Sequence, residues 1–415
     1  MRRTIALALL TTALCGMLRA QDTELFTPHI RTVRLLVNND YTLPAAIRLA
    51  SNEVVEVSFD HLSHEYHRFH YRLTHCHADG TPSDLSPTEY MDGFDDHPIE
   101  EYAVSVNTTL PYTHYRLQIP NEQMRLRLSG NYRLTVYDED DNDNPAFTTY
   151  IRVVEPQVTI AAQVSSDTDI DRNRSHQQVS FTINHPAYPI RHPESELYVQ
   201  VYQNNRTDNK VTQLKPTYIG NNRLSYEHIP ALIFDAGNEY RRFETVSLRH
   251  PTRGVEKIQY IQPYYHATLR TDLPRTQNYS YDQDRNGRYL IRSVEAEENS
   301  DTEADYLLTH FTLLCDPPLA QGELHLQGNF TDGFTDENRL TYNNQTHAYE
   351  GTLLLKQGAY NYQYLSTTGG TLPIEGNFFE TENEYLILVY HRTFGERYDR
   401  LIGMQRVTTA IDRLQ

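Results

Sequence analysis

Short runs that alternate apolar and polar side chains recur along the first third of the chain, with turn-forming residues between them. Residues 33–37, 54–59 and 69–75 alternate or are dense in β-branched and aromatic side chains, and 112–119, 130–137 and 147–154 continue the series. A period of two sends every second side chain to one face, so these runs predict half-buried strands. Their spacing, with turn signals between, predicts a β-sandwich. Residues 138–144, DEDDNDN, are expected to form a loop, because Asp and Asn favour turns and repel one another across a ladder.

Glu155-Pro156 marks a boundary, since the residue before a proline is driven out of helical geometry and the strand ends there. A second series follows at 177–183, 197–203, 224–229, 244–248 and 260–265, with a single helical turn predicted at 231–234. Residues 293–305, SVEAEENSDTEAD, join high charge to almost no large apolar side chain, which is the composition of a linker. A third series occupies 308–314, 322–328, 349–355, 359–365 and 384–390. The expected organisation is a β-sandwich over 21–155, a second over 156–292, an acidic linker at 293–305 and a third sandwich over 306–415.

The start of the chain sets the expected compartment. Arg2 and Arg3 precede an apolar run at 4–14 too short to span a bilayer, and Leu18-Arg19-Ala20 offers a cleavage site, so residues 1–20 read as a signal peptide. No lipid anchor is expected, because the residue before Cys15 is Leu14 rather than a small one. Removing residues 1–20 deletes three arginines and no acid, taking the formal charge from −18 to −18 − 3 = −21. Nucleic acid and anionic lipid need cationic surfaces and are poor partners for such a chain. Only Cys76 and Cys315 then remain, too few for a disulfide framework. Thirty-one Tyr and no Trp accompany the strand-rich pattern.

Motifs for chemistry are sparse. His61, His64, His67 and His70 recur every third residue, but the pattern around them is a hairpin, which scatters them between loop and opposite faces. His75, Cys76 and His77 with Asp79 are denser, yet on a strand Cys76 faces away from both histidines, so a tetrahedral site does not close. Residues 138–143 lack the glycine and closing glutamate of a calcium loop. There is no G-x-S-x-G, H-E-x-x-H or Gly-rich phosphate loop. No catalytic residue, cofactor or metal ligand is assigned.

The segment 81–96, TPSDLSPTEYMDGFDD, is long for a sandwich connection and is the candidate for recognition. Leu85, Tyr90, Met91 and Phe94 supply apolar anchors, and Asp84, Asp92, Asp95 and Asp96 a charged rim, as protein interfaces are built. The competing reading is a loop packed on itself that covers one end of the sandwich.

The pieces THC, TPSDLSPTEYMDGF, NTTLPYTHYRLQIPNEQMRLRLSGNY and IRVVEP resemble the N-terminal domain of the plug protein family of the type IX secretion system. ENRLTYNNQTHAYEGTLLLKQGAYNYQY and EGNFFETENEYLILVYHRTFGERYDRLIG resemble that family's C-terminal portion. LHLQGNF followed by AYEGTLLLKQGAYNYQY is also similar to the early-set immunoglobulin-like domains that include glycogen-binding modules. The resemblance implies an all-β chain of about three tandem immunoglobulin-like sandwiches. It also implies a periplasmic, non-enzymatic, monomeric protein that seats against a large outer-membrane translocon β-barrel when the cargo shuttle is not engaged. The alternative is a glycan-binding protein stacking sugar on Tyr360, Tyr362 and Tyr364, and a weaker one is a chaperone for exported cargo.

Overall fold

The computed structural model describes residues 23–331 and 333–409; the expected signal peptide lies outside them. Strands dominate and no helix exceeds four residues among the described ones, so the chain is all-β. The first lobe packs two sheets face to face. One is ordered Glu24–Leu25, Asp141–Val154, Gly130–Asp138, Phe69–Cys76 and Asp96–Pro98, with Ala46–Arg48 running parallel beside the end of Asp141–Val154. The other is ordered Ile30–Val37, Val55–His61, Thr113–Ile119 and Glu101–Val104. Phe69, Tyr71 and Leu73 face inward against Phe59, Tyr115 and Phe147, while His70 and Arg72 face out, which is the alternation the sequence predicts. The DEDDNDN stretch departs from expectation. Its strand resumes at Asp141, leaving a tighter turn, and bulges at Val136–Asp138 take up the twist.

The chain does not pass through the other two lobes in tandem. Leu197–Gln203 pairs with Glu384–His391, which pairs with Arg400–Thr408. The second sandwich is therefore built from 157–238 and 381–409, around Phe181, Val199, Tyr226, Ile387 and Ile402. The third lobe is inserted between those two pieces. The contiguous units 156–292 and 306–415 are not the arrangement, because the last strands complete the second sandwich rather than the third. In the third lobe one nine-stranded sheet curls round its own core, so that Phe243 of an end strand meets Phe311 of an inner one at 5.5 Å. Residues 260–265 also differ from expectation: they hold the turn of a hairpin between Val255–Ile261 and Tyr264–Leu269 rather than a strand. The helical turn near 231–234 is a 3-10 turn at Pro230–Leu232.

Val55–His61 shows why three lobes form one body. Val55, Val57 and Phe59 face the first core, and the alternate residues Glu56, Ser58 and Asp60 are buried too, because the third lobe covers that face. Asp60 accepts from Lys356 Nζ at 2.5 Å and Tyr306 Oη at 2.6 Å, and bonds His114 Nδ1 at 2.6 Å. Lys356 also sits 4.1 Å from the centre of the Tyr112 ring. Burial would raise the Asp60 carboxyl, but Lys356 and His114 outweigh it and hold it down to about 2. The segment expected to be a linker belongs to this interface. Asp305 is buried and accepts from the Leu110 amide at 3.2 Å and from both the amide and hydroxyl of Thr109, and Asp301 pairs with Arg34 at 2.5 Å. Its few apolar side chains do not matter, because carboxylates satisfy a loop of the first lobe.

The first and second lobes share a further core of Val154, Tyr202, Leu388, Tyr390 and Leu401. Tyr390 Oη donates to Asn131 at 2.8 Å across it. Where the chain crosses between second and third lobes, Asn238 donates to the Glu375 carbonyl at 2.8 Å and Asn383 to the Ala236 carbonyl at 2.7 Å. Glu239 lies buried at that crossing, accepting from Tyr279 Oη at 2.6 Å and the Glu382 amide at 3.0 Å. Burial pushes its carboxyl up to about 7, and Asp284 and Glu382 add to the effect.

Two outcomes follow. Lys356→Met strands a buried Asp60 charge and is expected to destabilise the chain by about 3–5 kcal/mol. Asp60→Asn on top of it restores much of that loss, as chemical denaturation of the two variants will show. For Glu239, folding favours the neutral acid, so its ionisation cost is absent below the ordinary 4.5 and complete above about 7. Glu239→Gln is expected to raise the melting midpoint at pH 8, with the gain fading toward pH 4.5, and equal gains at both pH values would refute the assignment.

Candidate functional site

The segment 81–96 splits into an inward half and an outward tip. Ser86 starts a single turn, Pro87–Tyr90, closed by a capping box in which Glu89 returns to the Ser86 amide at 2.9 Å. That turn aims Tyr90 inward, where its hydroxyl donates to the Leu73 carbonyl at 3.0 Å. Met91 is buried in the first core, and Leu85 packs against it from the edge. Tyr90 and Met91 are core residues and Leu85 packs against that core, so this half of the loop lies over its own sandwich.

The outward half is smaller than the sequence suggests. Met91–Gly93 pairs with Met124–Leu126, and this two-stranded ladder carries Phe94 into solvent at 79% exposure. Asp92 meets Arg127 at 3.3 Å, Asp84 is exposed and Asp95 is half-buried. Asp96 turns back to the sheet, bonded by His70 at 2.9 Å, Arg72 at 2.9 Å and the Tyr137 hydroxyl. Burial alone would raise its carboxyl; those three donors outweigh it and hold it below the ordinary value.

Sequence reasoning missed the neighbour of this loop. The turn between Glu384–His391 and Arg400–Thr408 belongs to the second lobe and carries Phe394, fully exposed at 106%. Arg397 of that turn donates to the Asp84 carbonyl at 3.2 Å and pairs with Glu89. Phe394 and Phe94 are the most exposed large apolar side chains among the described residues. The two loops that bear them, from different lobes, are thus tied into one ledge. A lone aromatic before glycine in HRTFGERYDR was the available signal, since such a ring in a polar turn has no local core to fill.

The histidine and cysteine groups are structural. His64 bonds Ser105 at 2.9 Å, His67 bonds Asp138 at 2.7 Å, and burial with His67 and His29 pushes His61 down to about 4. His75 lies between Ser83 Oγ at 2.9 Å and the Ser129 carbonyl at 3.1 Å, pushed by burial to about 4. Cys76 is a buried free thiol raised by burial to about 11, and Cys315 is free as well. Among the described residues no three His, Cys, Asp or Glu side chains are placed to hold a metal ion. Tyr360, Tyr362 and Tyr364 form no sugar platform. All three are buried, with hydroxyls on the Lys356 carbonyl at 2.5 Å and on Asp272 at 2.7 Å twice over. Alternation put them on one face, and that face is the core.

No curated protein matches the chain. A crystal structure of a hypothetical protein from Parabacteroides merdae is similar over nearly the whole length, with a TM-score of 0.91 and 46% identity, covering 94% of this chain and 99% of that one. Residues 30–155 match the family model of the type 9 secretion system plug protein 1st domain. Apart from Glu24–Leu25, that stretch holds both sheets of the first lobe and the Phe94 loop, and the chain belongs to the plug protein family of the type 9 secretion system.

Proposed function

We propose that this chain blocks the periplasmic opening of the large outer-membrane translocon barrel while the shuttle protein is absent, and that the Phe94–Phe394 ledge is its docking face. Plug proteins are a structural secretion component rather than a known enzyme family. The observation that carries the reading is the buried joint of Asp60, Lys356 and Tyr306, which fuses separate lobes into one body. An opening wide enough for folded cargo leaks unless the obstacle keeps its shape. Lobes strung on flexible linkers would bend out of the way, whereas lobes fixed by buried contacts occlude by size alone. No chemical step is required, and exchange with the shuttle needs only competing occupancy. No helix among the described residues is long and apolar enough to cross a membrane, so attachment to the outer membrane runs through the barrel in this reading.

Deleting the gene is expected to increase outer-membrane permeability to large antibiotics only in cells whose translocon lacks the shuttle. Unchanged permeability there refutes occlusion. At the ledge, Phe94→Asp with Phe394→Asp should leave stability within about 0.5 kcal/mol of the parent, because both rings already stand in water. The same pair should sharply reduce recovery of the barrel in an affinity pull-down from solubilised outer membranes. Undiminished recovery would move the docking face elsewhere.

A further inference from the structure

The cleft where the three lobes meet lies apart from the ledge. It encloses about 810 Å3, within the range of preformed binding sites. Val33, Arg34, Leu35 and Leu36 all border it. Consecutive side chains of a strand leave to opposite faces, so four in a row can border one space only along the strand's edge. Ile30–Val37 is the outermost strand of its sheet. The Val33 carbonyl accepts from Tyr289 Oη at 3.2 Å and the Val37 carbonyl from the Asp40 amide at 2.9 Å, both away from the partner strand. Alternation along an antiparallel strand turns the Leu35 amide and carbonyl to that same outer edge, between them.

Charge in the cleft opposes that of the chain. Arg34, Arg152, Arg206 and Arg288 line it against Glu24 and Asp208, in a protein of formal charge −18. Three of the arginines have counter-ions: Asp301 at 2.5 Å, Asp208 at 2.5 Å and Glu384 at 2.7 Å. Arg152 differs. It is 6% exposed, its guanidinium lies 5.4 Å from the centre of the Tyr202 ring, and among the described residues no carboxylate reaches it. Its Nε faces no acceptor. Tyr202 and Tyr390 together outweigh its burial and keep it charged, and an incoming carboxylate adds the full counter-charge that neither hydroxyl supplies.

We propose that this cleft binds a short, extended, acidic peptide segment. One of its residues exchanges both backbone hydrogen bonds with Leu35, at the edge position between the Tyr289 and Asp40 contacts, and a side-chain carboxylate pairs with Arg152. Because the walls come from three lobes held by buried contacts, the site is formed before the peptide arrives.

The test is fluorescence anisotropy of the protein with a labelled hexapeptide of alternating valine and glutamate. Saturable binding is expected, weaker by about tenfold or more for the lysine counterpart and for a backbone N-methylated analogue. Arg152→Gln should weaken the glutamate peptide by a similar factor. Should that variant fail to fold, hydrogen exchange on the parent decides, with the Leu35 amide slowing when the peptide is added. Equal binding of the glutamate and lysine peptides, an unprotected Leu35, or full displacement by millimolar inorganic phosphate would overturn the proposal, the last by reducing the cleft to a simple anion site.

Discussion

The buried pair of Asp60 and Lys356 sets the terms for the rest of the molecule. Two side chains at 1% exposure, 2.5 Å apart, join strands nearly three hundred residues apart in sequence. Desolvating both ions is expensive, and the geometry repays it only because Tyr306, His114 and the Tyr112 ring complete the shell. The arrangement therefore tolerates one relative placement of the first and third lobes. Apolar contacts alone would allow sliding at modest cost. Thr32 shows how far the constraint reaches: at a bulge in its strand it holds φ +54, unusual for a β-branched residue, with its hydroxyl 2.7 Å from Tyr306.

The local elements were legible and their partnerships were not, for one physical reason. A period of two in VEVSFDH reports that the strand has two unlike faces, and the apolar face is the first core as expected. The pattern cannot report that the polar face is also buried, because Glu56, Ser58 and Asp60 look the same beside water as beside Lys356. Likewise Leu197–Gln203 and Glu384–His391 each read as strands, yet their pairing spans about 180 residues and leaves no local trace. The acidic run at 293–305 misled in the same way: composition marks inability to build a core, not inability to cap the backbone of another lobe.

At the candidate site the error was one of direction. Leu85, Tyr90, Met91 and Phe94 are equally apolar in sequence, but only the capping box and the short ladder at Met91–Gly93 decide which way each points. Three went to the core and one to solvent. Phe394 escaped notice because its turn seemed to close a third sandwich; once that hairpin is seen to complete the second, its tip falls beside the Phe94 loop.

The distribution of charge bears on how such a body would dock and release. Several of the cations are committed inside: Lys356 to Asp60, Arg34 to Asp301, Arg288 to Glu384. What remains outside is predominantly acidic, so long-range attraction toward another acidic surface is not available to it. Docking by the ledge must then draw on apolar burial, and a fully buried phenylalanine contributes only about 1.5–3 kcal/mol. Two rings together stay below about 6 kcal/mol before the entropic cost of association is subtracted. An obstacle held that loosely yields to a competitor on the same opening without any chemical trigger, provided that its own shape does not yield first. In the proposed plugging role, rigidity inside and weakness at the surface are thus complementary demands, the first answered by the buried ion pair and the second by two exposed rings.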